Sequence, residues 1–397
     1  MEIQPLTEQE IQQIRAETKG TKERVHFNNA GASLPPDVVV DTVINYLKEE
    51  AMFGGYETEF KYSKELANVY SSIAKLINAD ADEIALVENA SIGWGLAFNG
   101  ISFTKGDEII TTEMEYSTNL LSFINAEKTA GAKLIIIPND EKGNFQLAAF
   151  EAAITPQTKL IAVTHIPSAA GGMIPIVEIG KIARKHNILY LLDACQTVGH
   201  APIDVKEIGC DMLSVTGRKY LRAPRGTGFL FVKRELLDKL KLTFMDGHTV
   251  DWMTKDDYKV IAGTKRFEVY EKNRALILGL GKAVDYVLNI GMDRIWQRIQ
   301  YLADLMRNQL SNIDNITVHD MGDQKCGIVT FSIKGIDSVT VKNKLAEKHI
   351  NVSVSLPKTT LIYMEKNHLY SVVRASVHYY NTEEEIKQTS TILASLK

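Results

Sequence analysis

Cysteine is scarce: Cys195, Cys210 and Cys326 are the only three in 397 residues. Three scattered thiols can neither staple a disulfide framework nor form a CxxC metal site, and their scarcity suits a reducing compartment, so a cytoplasmic location is expected. Charge of one sign is missing too. The 45 basic and 49 acidic side chains leave a formal charge of −4, which gives no basic field for nucleic acid. No run of 18 apolar residues occurs, and the opening MEIQPLTEQEIQQIRAETKG mixes both charges without an apolar stretch. Neither a membrane-spanning nor a secreted protein is expected. Internal repeats and low-complexity tracts are also lacking.

What is present is an ordinary globular composition, 45% hydrophobic and 24% charged, in a chain longer than one core usually grows. Thr7 with Glu10 reads as a capping box opening a short helix, and Ser33-Leu-Pro-Pro36 as the entry to a longer one, with the loop HFNNAGASLPP between them. From Glu83 onward, short apolar runs (EIALV, EIITT, KLIII, LIAVTH, LYLLD, MLSV, GFLFV) alternate with segments of helical spacing such as Ile176, Ile179, Ile182 and Ala183. That alternation predicts an α/β fold with a mostly parallel sheet and helices on both faces. Near Gly279 the pattern changes. A helical stretch from Lys282 to about Leu310, broken near Gly291, leads to the runs GIVTFSI, NVSVS and YSVVRASVH, a helix near Val339 to His349, and a closing helix that Thr382 and Glu385 cap. The expected division is an N-terminal segment 1–30 packing on a small domain, a large domain 31–280, and a small α+β domain 281–397.

In open α/β sheets ligands gather beyond the carboxyl ends of the strands. LYLLDACQ delivers Asp193 and then Gln196 at such an end, and Lys219 follows 26 residues after Asp193 (219 − 193), just beyond MLSV. A lysine followed by Gly, Pro and Arg is often only a solvated turn residue. An aspartate that keeps a pyridine nitrogen protonated, joined to a lysine able to form a Schiff base, is instead the pairing that pyridoxal phosphate chemistry needs. Arg218 beside the lysine would help lower its pKa.

Eight collinear stretches carry a resemblance: FNNAGAS, VENASIGW, EMEYSTNLL, THIPSAAGG, LLDACQTVGHAPIDV, TGRKYLRAPRGTGFLFV, RFE and VVRASVHYYNTEEEI. Together they resemble the class V aminotransferase group of fold-type I pyridoxal phosphate enzymes, which includes cysteine desulfurases, selenocysteine lyases and isopenicillin N epimerase. The resemblance spans nearly the whole chain. It implies that Lys219 binds the cofactor covalently, Asp193 meets the pyridinium nitrogen and Gln196 the ring's 3-oxygen. The phosphate would sit at Ala90 and Ser91, closed by Thr216 and Arg218. Tyr116 falls where desulfurases stack a histidine on the ring, a core aromatic being the other reading. Arg374 matches the arginine that receives the substrate's α-carboxylate, against an internal salt bridge. Ser168, His165 and Asn29, with Asn28 beside it, fall near the substrate, though each also suits loop packing or a turn.

Departures from the family pattern shape the functional expectation. Relatives often carry histidine where Arg218 stands, and Gly-Thr after RFE, where this chain has RFEVYEKNRA. There the neighbouring subunit of an expected homodimer would reach the phosphate, through Tyr270 or Asn273 or not at all, because Glu271 repels it. Desulfurases also present a cysteine shortly before the substrate arginine. SLPKTTLIYMEKNHLYSVVR has none. The resemblance therefore runs toward the subgroup of C–S lyases and epimerases, with β-elimination on a cysteine-derived amino acid as the first expectation. Epimerisation, transamination, desulfuration and a catalytically silent binding protein are the alternatives. No metal site is expected.

Overall fold

The computed structural model describes residues 3–396. The seven apolar runs form one sheet of β1 Ile84–Val87, β2 Glu108–Thr112, β3 Lys133–Ile137, β4 Thr158–Thr164, β5 Leu189–Asp193, β6 Met212–Thr216 and β7 Gly228–Val232, in the order β1-β7-β6-β5-β4-β2-β3. From β3 across to β6 every pairing is parallel, and only β7 runs against its two neighbours. Side chains alternate between two buried layers: Tyr190, Leu192, Leu213 and Val215 enter one, Leu191 and Met212 the other. Helices cover both faces, which is why these strands read as unbroken apolar runs.

A second, antiparallel sheet combines β8 Ile316–Val318, β9 Ile328–Ile333, β10 Ser353–Ser355 and β11 Val372–Ser376 in the order β8-β9-β11-β10. Ahead of the large sheet, Val25–His26 pairs in parallel with Ile350–Asn351, and Arg15 bonds Glu385. Both capping boxes, at Thr7 and at Thr382, are formed.

Two differences from the sequence expectation have physical reasons. The long helical stretch is broken at Gly291, whose φ of 96° suits glycine, but its first helix starts at Arg274 and ends at Ile290. Residues 280 and 281 therefore lie inside one helix, which packs on the helices Asp37–Phe53 and Ser63–Ile77. The hairpin Val250–Thr254 with Asp257–Val260 was unforeseen because its strands bury almost nothing, Trp252 being 77% exposed. Among the described residues no single helix is long and apolar enough to cross a membrane.

Three histidines are enclosed, and two of them join the segments around the two sheets. His200 Nδ1 donates to the Gln196 carbonyl at 2.9 Å while Nε2 accepts from the Gly327 N–H at 2.9 Å, so the ring is neutral. His378 Nε2 donates to the Tyr220 carbonyl at 3.0 Å and Nδ1 accepts from the Tyr379 N–H at 3.0 Å. Burial pushes His165 and His200 down to about 3 and His378 well below its ordinary value. Each becomes charged on unfolding below about pH 6.5, so its contribution is complete above that value and is lost as the pH falls. Glu115, which burial raises to about 7, acts in the opposite sense. Three protons taken up against one released should lower stability by roughly 2–3 kcal/mol per pH unit between about pH 6 and 5. Urea-unfolding midpoints at pH 7, 6 and 5 check this, and a midpoint that is level or rises toward pH 5 contradicts it.

Candidate active site

Thr164, Asp193 and Thr216 end β4, β5 and β6. With the first residues of the helices Ala90–Gly100 and Ser117–Ala130 they enclose a cavity of about 460 Å³. Ala90, Ser91, Tyr116, Ser168, Asp193, Gln196, Thr216, Arg218 and Lys219 all line it. Two tight turns set this convergence. Gly199 has φ 84°, and a Cβ there would lie 2.5 Å from the Tyr220 backbone, so the loop after β5 presses directly on the turn after β6. A Cβ on Gly217 would meet Thr227 Oγ1 at 2.4 Å.

Lys219 is half-buried in that second turn, with Nζ 5.9 Å from the centre of the Tyr116 ring. Its carbonyl accepts from the N–H of Arg222, which holds a left-handed φ of 62°. Burial lowers the lysine pKa most, and Arg218 and Arg374 push the same way against Cys195 and Asp193. A lysine so placed tends toward its neutral, nucleophilic form.

Asp193 is 5% exposed. Oδ1 accepts from the Cys195 N–H and Oδ2 from Asn119 Nδ2, each at 2.9 Å, and no described cation pairs with it. A buried carboxylate in that state calls for a positive partner. Gln196 Nε2 donates to the Ala30 carbonyl at 3.1 Å while Oε1, also buried, has no partner. At the other end, the Asn89 side chain takes the Ile92 N–H, leaving those of Ala90 and Ser91 to face an anion at a helix N-terminus. A cationic ring nitrogen, a ring hydroxyl and a phosphate match these three places, so the residues fit pyridoxal phosphate.

Partners within the fold engage several of the expected residues. His165 does not line the cavity; its ring bonds Thr197 Oγ1 at 2.9 Å and is buried. Asn29 is fully engaged, donating to the carbonyls of His26 and Ser376 and accepting from Tyr380, whereas Asn28 Oδ1 is left without a partner. Arg374 is 8% exposed, has no acidic partner, and donates from Nη1 to the Ser168 carbonyl at 2.8 Å. Its Nε and Ser168 Oγ have no partner, and burial brings its pKa down to about 10. Arg218 lines the cavity and donates one nitrogen to the Gly31 carbonyl. Tyr270 and Glu271 are exposed, and Asn273 caps the helix Arg274–Ile290. Sequence reasoning passed over Glu115, Asn119 and Thr164, which surround Asp193 from behind. The signal was there in EYSTN, an acid four residues before an amide at a helix start.

The family described as Aminotransferase class-V matches residues 25–389. The chain belongs to that family. A probable cysteine desulfurase of Methanothermobacter thermautotrophicus is 30% identical over 94% of this chain and 95% of its own length, and one of Pyrococcus abyssi is 30% identical over 96% of each. Among solved structures, the apo cysteine desulfurase of Thermococcus onnurineus superposes with TM-score 0.91 at 27% identity, covering 96% of this chain and 97% of that one. A cystine C–S lyase bound to its product cysteine persulfide superposes at 0.86 and 21% identity, covering 95% and 99%, which shows a shared fold alone. The class-V chain is thus a pyridoxal-phosphate-dependent enzyme of fold type I.

Replacing Lys219 with alanine should leave the circular dichroism spectrum unchanged. It should prevent borohydride from trapping the cofactor on the chain and lower turnover at least about a hundredfold. Trapping at another lysine, with turnover near the wild-type rate, contradicts the placement.

Proposed function

We propose that this class-V enzyme cleaves the C–S bond of a cysteine-derived amino acid by β-elimination, without using a thiol of its own. The segment Ser355–Arg374 carries the argument. Where desulfurases present their cysteine, this chain has none and folds into two short helices, Pro357–Thr359 and Leu361–Lys366. Tyr363 and Met364 are buried beneath it, and Lys366 Nζ fixes it to Glu113 Oε2 at 2.8 Å and to the Asn139 carbonyl at 2.9 Å. The three cysteines are buried. Only Cys195 lines the cavity, and burial, then Asp193, raises its thiol pKa well above the ordinary value, which disfavours the thiolate a nucleophile requires.

Pyridoxal phosphate, when bound, supplies the electron sink for negative charge at the substrate's Cα. Arg374, whose Nη1 holds the Ser168 carbonyl and whose Nε has no partner among the described residues, receives the substrate carboxylate. Lys219, whose pKa is lowered by burial and by two arginines, takes the Cα proton. The sulfur then departs from Cβ with whatever group it carries, so a good leaving group is enough.

The names of the relatives favour a second reading, cysteine desulfuration, in which an enzyme thiolate attacks the substrate sulfur. Changing Cys195, Cys210 and Cys326 together to alanine or serine separates the two. Retained pyruvate and ammonia production from cysteine-type substrates supports elimination. Complete loss at normal cofactor content, with a persulfide on the wild-type chain, returns desulfuration to first place. Arg374→Ala should weaken amino-acid binding by roughly 2–5 kcal/mol, at least about thirtyfold, and leave cofactor affinity largely intact. Equal loss of both, measured by titrating apoenzyme and holoenzyme, would assign the arginine a structural role.

A further inference from the structure

Two carboxylates are buried side by side at the ends of β2 and β5. Glu115 is 1% exposed and Asp193 5%. They share one amide: Asn119 Nδ2 donates to Glu115 Oε1 at 2.8 Å and to Asp193 Oδ2 at 2.9 Å. Nearby, Glu108 and Glu113 each have a lysine, at 3.9 and 2.8 Å. Neither Glu115 nor Asp193 has a cationic partner among the described residues. Glu115 is surrounded instead by neutral groups, namely the hydroxyls of Thr164 and Thr111, the Tyr116 N–H and Asn119. The charged group facing it is Asp193, which lies between it and the Cys195 and Lys219 side of the cavity.

Two negative charges bridged by one amide, enclosed and without a cation, repel each other in a medium that screens poorly. One proton removes the conflict, as in any pair of carboxylates sharing a site. A carboxylate at Asp193 is the one the ring nitrogen needs, which leaves the proton to Glu115. Burial acts in the same direction, raising Glu115 to about 7.

We propose that Glu115 is a positioning residue that holds a proton at Oε2 near neutral pH, so that the Glu115–Asn119–Asp193 chain carries a single negative charge, placed at Asp193. Oε2, which accepts from Thr111 Oγ1 at 3.1 Å when it carries no proton, donates to that hydroxyl when it does, while Oε1 accepts from Asn119, Thr164 and the Tyr116 N–H. Loss of that proton would bring a second charge behind Asp193 and strengthen its hold on a protonated ring nitrogen. The placement of the charge at Asp193 and this last effect rest on the pyridoxal phosphate reading; the single shared proton rests on the geometry of the pair.

The test is infrared spectroscopy of apoprotein and holoenzyme labelled with ¹³C at glutamate side-chain carboxyls. Wild type should show a buried protonated-carboxyl band at pH 6 that fades as the pH rises through about 7, and Glu115→Gln should lack it. Glutamine can keep an oxygen toward Asn119, Thr164 and Tyr116 and put its amide toward Thr111. Its holoenzyme spectrum should therefore match wild type at pH 6 and lose the wild-type inflection near pH 7, whereas Glu115→Ala should differ at both pH values. A labelled wild-type protein with no protonated band at pH 6 overturns the proposal, and this arm needs no variant to fold. A visible-absorbance pH profile for Glu115→Gln identical to wild type overturns the positioning role. If the band is present but borohydride traps no cofactor at Lys219, the cofactor reading fails while the proton assignment stands.

Discussion

Tyr220, the residue after Lys219, is held between two uncharged imidazoles. Its ring stacks on His200 at 3.8 Å and 18°, and lies 5.3 Å from His378, which stacks in turn on Tyr380 at 4.8 Å. Each histidine also spends one ring nitrogen on a backbone group of another segment, Gly327 for His200 and Tyr220 for His378, and the other on its own segment. The column therefore ties the loop carrying Asp193 and Gln196, the turn carrying Lys219, and the strand carrying Arg374 to one another. Only neutral rings can do this, because a protonated His200 would confront the Gly327 N–H with a second donor. The missing Cβ at Gly199 completes the arrangement by letting the two loops touch backbone to backbone.

Arg222 secures the same turn from the outer side. Fully buried and in a left-handed conformation, it donates to the Leu34 carbonyl, Tyr379 Oη and Thr18 Oγ1, and its guanidinium lies 4.7 Å from the Tyr380 ring centre. A cation without a carboxylate is tolerated there because acceptors and aromatic faces replace its water. The αL backbone of a residue this large is strained, and the three segments it joins hold it in place. Rigidity at Lys219 thus comes from residues near both chain ends.

In and around the cavity the rules of a well-satisfied core are broken in a concentrated way. Among the described residues, Gln196 Oε1 and Ser168 Oγ on its lining and Arg374 Nε and Asn28 Oδ1 outside it are buried without partners, and Asp193 is without a cation. Such debts are costly unless a ligand settles them. Their chemical variety, acceptors beside a carboxylate and donors beside an arginine, matches a zwitterionic amino acid on a charged aromatic cofactor. The scaffold is shared with a solved cysteine desulfurase, and the segment Ser355–Arg374 on it holds no cysteine.

The seven strand runs, both capping boxes and the break at Gly291 could be read from the sequence because each follows from the chemistry of residues close together in the chain. Lys219, Asp193 and Gln196 were legible for a similar reason: each sits just past an apolar run, where a parallel sheet exposes its functional edge. What long-range packing alone decided was which polar atoms are spent and which are free. Asn29 and Asn28 are neighbours with the same side chain, yet one is exhausted by Ser376 and Tyr380 and the other is left unpaired. His165 looked like a cavity residue until Thr197 claimed its ring, and Glu115 was invisible as an acid without a cation. Arg374 meets Ser168 across 206 residues of sequence. Hydrophobic periodicity is a local property and survives in a string of letters. Satisfaction of a buried polar group depends on partners that only the folded chain brings within about 3 Å.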